Sequence, residues 1–457
     1  MEMHQGCHSG PCLCPPHPDL VRRRMAEAGE GQHQLTPATI ASLRRMGHST
    51  SSTPGLNDGA VIPPERFPKG TSLRAMRKAA LESEPVRGQV GSIVVLVDFP
   101  DKKMQAGRAE EFRKLFFSPT QGSVNDYYNE VSGGKVSFVG EVVGPITLPR
   151  KMGEYTRGDS GATEQEPNAQ TMARDALNAI KDKHDLSAYD LNDDRLVDAF
   201  VVVHAGSGAE MDGDKDKFWS LQWNIGKSVK VGDVSVHGFM TIPEDALLGV
   251  TVHELGHLVF HWPDLYDADD PSSGLGKWCL MSTGSWAGNG KEPAHPSAWC
   301  KYKQGWVTAV ADKDNHPISL KDVKDSLEIH RLWDNGDTRS SEYFLIENRQ
   351  KSKYDAGLPG SGLLVWHVDD DIPDNREELH YKVGLIHADG KEQLGTTSLW
   401  PQALGDTGDP FPGQAKNDKF NDTSNPSSRS FKNRRTSVSI THISQSAPMM
   451  TMNIAVK

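Results

Sequence analysis

The 457-residue chain is poor in cysteine, in aromatic residues and in long apolar runs. Five cysteines are too few to scaffold a chain of this length, which excludes a disulfide-built fold. No apolar run approaches the roughly 20 residues needed to cross a bilayer. The first twenty residues, MEMHQGCHSGPCLCPPHPDL, contain no apolar stretch of the kind that forms a signal-peptide core. Positive charge is also short: 50 Lys and Arg stand against 61 Asp and Glu, a formal net charge of −11. That balance argues against a general binder of nucleic acid or anionic membranes. There is no G-x-x-x-x-G-K-[ST] phosphate loop, no G-x-S-x-G nucleophile elbow and no G-x-G-x-x-G after a strand. What is present is a soluble globular composition, 36% hydrophobic and 24% charged, long enough for about three domains. One oddity remains. Three of the five cysteines, Cys7, Cys12 and Cys14, lie within the first fourteen residues.

The chain reads as three parts. Residues 1–88 are punctuated by Pro, Gly and Ser and are too poor in apolar residues for a core of their own. Two short amphipathic stretches, 19–28 and 38–46, stand out in this part. The second opens with Thr36 as N-cap and Pro37 at the first helical position. A flexible linker is expected over 48–64. Residues 89–310 mix buried β-branched runs (92–99, 136–148, 199–204) with helical patterns (123–132, 166–181), so an α+β domain with a mixed sheet is expected. Residues 311–457 carry short strand patterns between turn-rich loops, which predicts a β-sandwich-like C-terminal domain.

The chemistry concentrates in Val252-His253-Glu254-Leu255-Gly256-His257-Leu258-Val259-Phe260-His261-Trp262-Pro263-Asp264. This contains H-E-x-x-H. On a helix, His253 and His257 leave one face a turn apart, and two imidazole nitrogens can then reach one Zn²⁺ at ~2.0–2.1 Å. Glu254 lies beside such a metal and can take a proton from water without ligating. A catalytic zinc also needs a third protein ligand and an open fourth position. His261 and Asp264 are the two candidates. In a continuous helix His261 would stand ~12 Å along the axis from His253. Pro263 disfavours a helical Trp262, so the helix should end by residue 260 or 261 and the chain can turn Asp264 back to the metal. Asp264 is the favoured ligand. Further on, Cys279-Leu280-Met281-Ser282-Thr283-Gly284-Ser285-Trp286 reads as a tight turn whose methionine, Met281, is either a core residue or an apolar floor under a metal.

H-E-L-G-H, the following W-P-D-L-Y-D and the downstream M-S-T-G-S-W-A-G resemble the M6 family of zinc metallopeptidases, the immune-inhibitor-A-like group related to the metzincins. The resemblance extends over roughly residues 90–457. It includes Val97-Asp98-Phe99-Pro100-Asp101, Val203-His204-Ala205-Gly206, Thr241-Ile242-Pro243-Glu244, the run 342–349 and the run 357–367. It implies a metzincin-like zinc peptidase domain with His253, His257 and Asp264 as zinc ligands, Glu254 as general base and Met281 as the Met-turn residue. It also implies secretion, a protein or peptide substrate and a monomer. Two positions depart from the pattern: Phe260 and His261 stand where glycines are usual. The implied reaction is peptide hydrolysis, with Glu254 taking a proton from the attacking water and passing it to the leaving amine.

Asp190, Asn192, Asp194 and Asp198 place oxygen side chains at positions 1, 3, 5 and 9 of a loop, like the start of an EF-hand calcium site. Arg195 stands where such a loop needs glycine, and no Glu occupies position 12, so a solvated acidic turn is the competing reading. Asp267, Asp269 and Asp270 form a second acidic cluster, read as a wet loop. His204, His237, His367 and His380 are isolated in the sequence and read as structural. Thiolates are strong zinc ligands. Cys12 or Cys14 is therefore a candidate to cap the zinc and hold the enzyme latent, against a plain N-terminal tail. Cys279 and Cys300 could pair in an oxidising compartment. The rival functions are a catalytically inactive metal-binding homologue serving as an adhesion or binding module, and a structural protein with a coincidental H-E-x-x-H.

Overall fold

The computed structural model describes residues 10–27, 62–72, 75–76, 79, 83–267, 272–395 and 403–457. Cys7, the 38–46 stretch, most of the 48–64 linker, Asp269 and Asp270 lie outside the described residues. The described chain divides into two compact units. One holds residues 10–20, 62–72, 75–76, 79, 83–129 and 135–263, and the other holds 21–27, 130–134, 264–267, 272–395 and 403–457.

The first unit is built on a six-stranded mixed sheet. Its strands are β1 (Cys12–Leu13), β2 (Gly88–Asp98), β3 (Val136–Thr147), β4 (Ala199–His204), β5 (Leu221–Val231) and β6 (Val234–Pro243), in the order β1-β5-β6-β4-β2-β3. Strands β3, β2, β4 and β6 run parallel, with Val94 opposite Val142 and Val201. β5 returns antiparallel to β6, and β1 adds antiparallel to the free side of β5. The central strands β2 and β4 are the near-continuous Val/Ile/Leu runs, as expected for strands covered on both faces. Helices of the described chain, in order, are α1 (Pro18–Glu27), α2 (Arg108–Phe117), α3 (Val124–Ser132), α4 (Met152–Thr156), α5 (Ala169–Ile180), α6 (Leu248–Phe260), α7 (Ala298–Lys303) and α8 (Val323–Ser326). In α5 the stripe Met172, Ala173, Ala176, Leu177 and Ile180 is buried, and Asn168 caps the start by accepting from Thr171 N–H at 3.0 Å.

The second unit carries a five-stranded and a three-stranded sheet. β7 (Thr308–Ala311), β9 (Glu328–Leu332), β10 (Glu342–Arg349), β11 (Gly362–Asp369) and β12 (Val383–Ile386) form the order β12-β11-β10-β9-β7. β8 (His316–Lys321), β13 (Ser439–Thr441) and β14 (Met449–Ala455) form the order β13-β14-β8. Alternate residues Met450, Met452 and Ile454 of β14 join Phe344, Ile346, Leu363 and Val365 of the larger sheet in one apolar core. The molecule is thus mixed α/β with several sheets. Among the described residues no helix is long and apolar enough to cross a membrane.

Candidate metal centre

The centre is carried by α6, which lies against β4, β5 and β6 and has every residue buried. Pro243 ends β6, Glu244 to Ala246 form a turn, and the helix begins at Leu248 after Leu247, whose side chain provides no cap. Packing, rather than a capping residue, sets this boundary. The Tyr128 hydroxyl donates to the Val252 carbonyl at 2.6 Å, one residue before the first histidine. The Tyr128 ring also lies 4.9 Å from that of Phe260. Tyr128 therefore grips the helix near both ends of the motif.

The helix stops where Pro263 requires it. His261 adopts a left-handed backbone, φ 56° and ψ 26°, and its N–H closes on the Gly256 carbonyl. This is the conformation glycine adopts freely, and histidine takes it here at a cost. His261 is thereby a helix terminator, at the place where the resemblance has glycine. Trp262 N–H also bonds Gly256 O at 3.2 Å, so the chain reverses directly after the helix.

His253 and His257 come together as expected from their spacing. Their Nε2 atoms are 3.1 Å apart and both side chains are buried. A tetrahedral ion with bonds of about 2.0–2.1 Å separates its nitrogen ligands by about 3.3 Å. The Nδ1 edge of His257 faces the Trp262 carbonyl at 2.6 Å. A proton on Nδ1 shared with that carbonyl fixes the ring and leaves the Nε2 lone pair for a metal. Cys12, His257 and Asp264 each present a ligand atom within 4.8 Å of the others, and all three are buried. Asp264 follows the helix end by way of His261, Trp262 and Pro263. Glu254 is fully buried on the same helix. His253 is not part of the group formed by Cys12, His257 and Asp264; an imidazole, a carboxylate and a thiol are ligand types that zinc takes.

Sequence reasoning had no signal for three supporting groups. Tyr128 and the Trp262 carbonyl are two. The third is the anchor of the N-terminal strand, where Trp219 Nε1–H donates to the Cys14 carbonyl at 2.7 Å and Cys14 N–H to Ser220 O at 3.0 Å. Ser220 in turn donates through its hydroxyl (2.7 Å) and its N–H (3.2 Å) to Glu210. Burial pushes the Glu210 carboxyl up to about 7, against the bonds from Ser220.

The remaining candidates fall elsewhere. In the 190–198 loop the acidic oxygens accept backbone N–H groups. Asp190 takes those of Asp194 and Arg195, Asn192 that of Asp194, and Asp194 that of Leu196. Asp198 accepts from Gly91 at 2.7 Å and is pushed up to about 7, chiefly by burial. Arg195, in the place of the EF-hand glycine, takes φ 66°. Asp267 accepts from the Ser272 hydroxyl. Met281 is fully buried in a turn closed by Ser282 and Gly284 N–H on Cys279 O, and its carbonyl accepts from Leu265 N–H, next to Asp264. Cys279 and Cys300 are both buried free thiols. His367 and His380, far from adjacent in sequence, stack on Phe431 at 3.9 and 4.0 Å and pair with Glu342 and Asp369.

Residues 89–310 match the family described as immune inhibitor A peptidase M6, catalytic domain. Immune inhibitor A of Bacillus thuringiensis subsp. alesti is 33% identical over 223 residues, which cover 39% of this chain and 32% of that protein. The pre-pro-metalloprotease PrtV of Vibrio cholerae serotype O1 is 30% identical over 213 residues, 39% of this chain and 23% of that protein. The chain therefore spans about a third or less of the length of these relatives. The histidines, the helix and the turn all lie in this matched segment, so residues 89–310 are similar to the catalytic domain of the M6 peptidases.

Proposed function

We propose that residues 89–310 form a zinc-dependent endopeptidase domain. The observation that carries this reading is the pair of buried imidazoles 3.1 Å apart on one helix, with Glu254 between them in sequence. His253, His257 and Asp264 would hold the ion. A bound zinc ion supplies Lewis acidity, which polarises a scissile carbonyl and acidifies water. Glu254 then acts as general base on the attacking water and returns the proton to the leaving amine. Trp262 orients His257 through its carbonyl, and Tyr128 positions the helix. The alternative, a metal-binding but inactive homologue, is disfavoured by the intact Glu254.

Three further parts complete the reading, and only the extracellular location rests on the resemblance. Residues 1–88 act as a pro-like segment, residues 311–457 as a β-rich domain beside the peptidase, and the protein works outside the cell as a monomer. The 190–198 loop is proposed to take calcium, with isothermal titration of wild type and Asp190→Asn as its test. Equal heats from the two proteins would reject that site.

The decisive experiment is Glu254→Gln. Metal content should stay at about one zinc per chain, while hydrolysis of a casein substrate falls by about 10²–10⁴-fold. Proteolysis that persists in the variant would remove Glu254 from the mechanism, and wild-type protein that binds no zinc would remove the peptidase reading.

A further inference from the structure

Cys279 and Cys300 meet inside the second unit as free, fully buried thiols. Ser297 joins them. Its N–H donates to Cys279 Sγ at 3.3 Å, and its hydroxyl donates to Cys300 Sγ at 3.4 Å. The Cys300 S–H donates to Cys279 in turn, and the Met281 N–H adds a further donor. Cys279 thus receives donors from Ser297, Cys300 and Met281, the surroundings that suit a thiolate. Burial alone would raise the Cys279 thiol, but these bonds outweigh it and hold the group below its usual range. Burial and the neighbouring Cys279 sulfur push Cys300 the other way, well above its usual range. The two thiols sit on elements with different anchors. Cys279 opens the turn closed by Ser282 and Gly284 N–H on its carbonyl, at 3.1 Å each, and the Met281 carbonyl of that turn accepts from Leu265 N–H at 2.7 Å. Cys300 lies on α7, which the buried Lys301–Glu347 pair fastens to β10 at 2.6 Å.

We infer that Cys279 and Cys300 are a redox-active pair, with Cys279 the nucleophile and Cys300 the resolving thiol, which a low-molecular-weight disulfide converts into a covalent staple between the 279–284 turn and α7. The inference does not depend on the zinc reading. Cys279, as its thiolate, attacks one sulfur of the reagent, whose S–S bond breaks to release one thiolate. The Cys300 sulfur then attacks Cys279 in the mixed disulfide, the Cys279–Cys300 bond forms and the second half of the reagent leaves. The reagent is reduced to two thiols, which carry the two protons that the cysteines lose. Both cysteines are 0% exposed, so exchange waits on opening of the turn, and the closed fold has no space for a lasting adduct. The staple fixes the turn that receives Leu265 N–H, one residue after Asp264.

The test exposes full-length protein to oxidised glutathione in subdenaturing urea and maps its disulfides by peptide mass. Wild type should yield a Cys279–Cys300 cross-linked peptide, with a rise in the midpoint of thermal unfolding. Cys300→Ala should retain glutathione on Cys279, whereas Cys279→Ala should leave Cys300 unmodified. Brief iodoacetamide treatment of reduced wild type in the same urea should label Cys279 about tenfold faster than Cys300. Cys279 and Cys300 both free after the exposure, or bridged to other cysteines, would overturn the pair. Equal labelling of the two, or faster labelling of Cys300, would overturn the assignment of the nucleophile. The cross-link and the labelling order are both read on wild type, so a variant that misfolds does not shield the inference.

Discussion

Two sets of buried acidic side chains, one in each unit, are handled in opposite ways. In the second unit Asp355 and Glu347 are fully buried against cations. Arg349 binds Asp355 through two nitrogens and also reaches Glu347 at 3.2 Å, Lys301 meets Glu347 at 2.6 Å, and Lys324 stands 3.4 Å from Asp355. Burial opposes their ionisation, but Arg349, His295 and Lys324 hold the Asp355 carboxyl well below the usual range. Lys301 and Arg349 likewise hold Glu347 below its usual range. In the first unit Glu210 and Asp198 are buried against hydroxyl and backbone N–H donors, and both are pushed up to about 7. Neutral donors do not repay the desolvation of a carboxylate, whereas a fitted guanidinium does. The network in the second unit is complete within the chain and reads as structural. The candidate metal centre is different again: it gathers an imidazole, a carboxylate and a thiol, groups whose common partner is a cation.

The largest effect that would break this contrast is at Arg349. Arg349→Met leaves two carboxylates buried beside fewer cations and should cost about 3–5 kcal/mol of stability, read by denaturant unfolding. The wild-type contribution of Asp355 is present above its ordinary pKa of 3.8 and is lost as pH falls below it. The variant should lose this acid sensitivity as well. Unchanged stability would mean that the network is not what compensates the buried charge.

Glu210 sharpens the other side. Its carboxyl titrates near 7 in the fold and at its ordinary 4.5 when unfolded. Its protonated form is therefore the one the fold favours. That contribution is complete below 4.5 and fades as pH rises to about 7, a range worth about 3 kcal/mol. Glu210→Gln should flatten the fall in unfolding free energy between these two pH values. The same slope in both proteins would assign it to another group.

The smallest effect concerns the backbone instead of charge. His261 holds φ 56° with an L side chain. His261→Gly relieves that strain but gives the unfolded chain more freedom, so a net stabilisation of about 0.5–1 kcal/mol is expected in thermal unfolding. Destabilisation would show that the His261 side chain contributes more than its backbone costs.

Much of the fold could be read locally. The run 199–204 is a strand over those same residues, and the 123–132 pattern is the helix Val124–Ser132. Each is governed by side-chain periodicity that a short window contains. The helix of the metal motif was also evident, but its start was not, because Pro243 extends a strand and no capping side chain marks Leu247. His261 carried no sign that it would take the left-handed turn. The cysteine that meets the motif helix could not be singled out either: Cys12 and Cys14 are two residues apart, and in the fold the Cys12 thiol contacts His257 while the Cys14 thiol contacts the Pro15 carbonyl.

The sequence by itself determined which chemistry is available. Two histidines and a glutamate at helical spacing, and a proline that ends the helix, depend only on the 3.6-residue repeat and on proline's restricted backbone. Tertiary structure alone decided what stands around that chemistry. Tyr128 holds the helix, the Trp262 carbonyl faces His257 Nδ1, and the Cys12 Sγ meets the same ring across 245 positions of sequence. These are contacts between residues far apart in the chain, or in a turn whose path is not periodic. They exist because strand pairing and core packing bring them together, and no local pattern encodes that meeting.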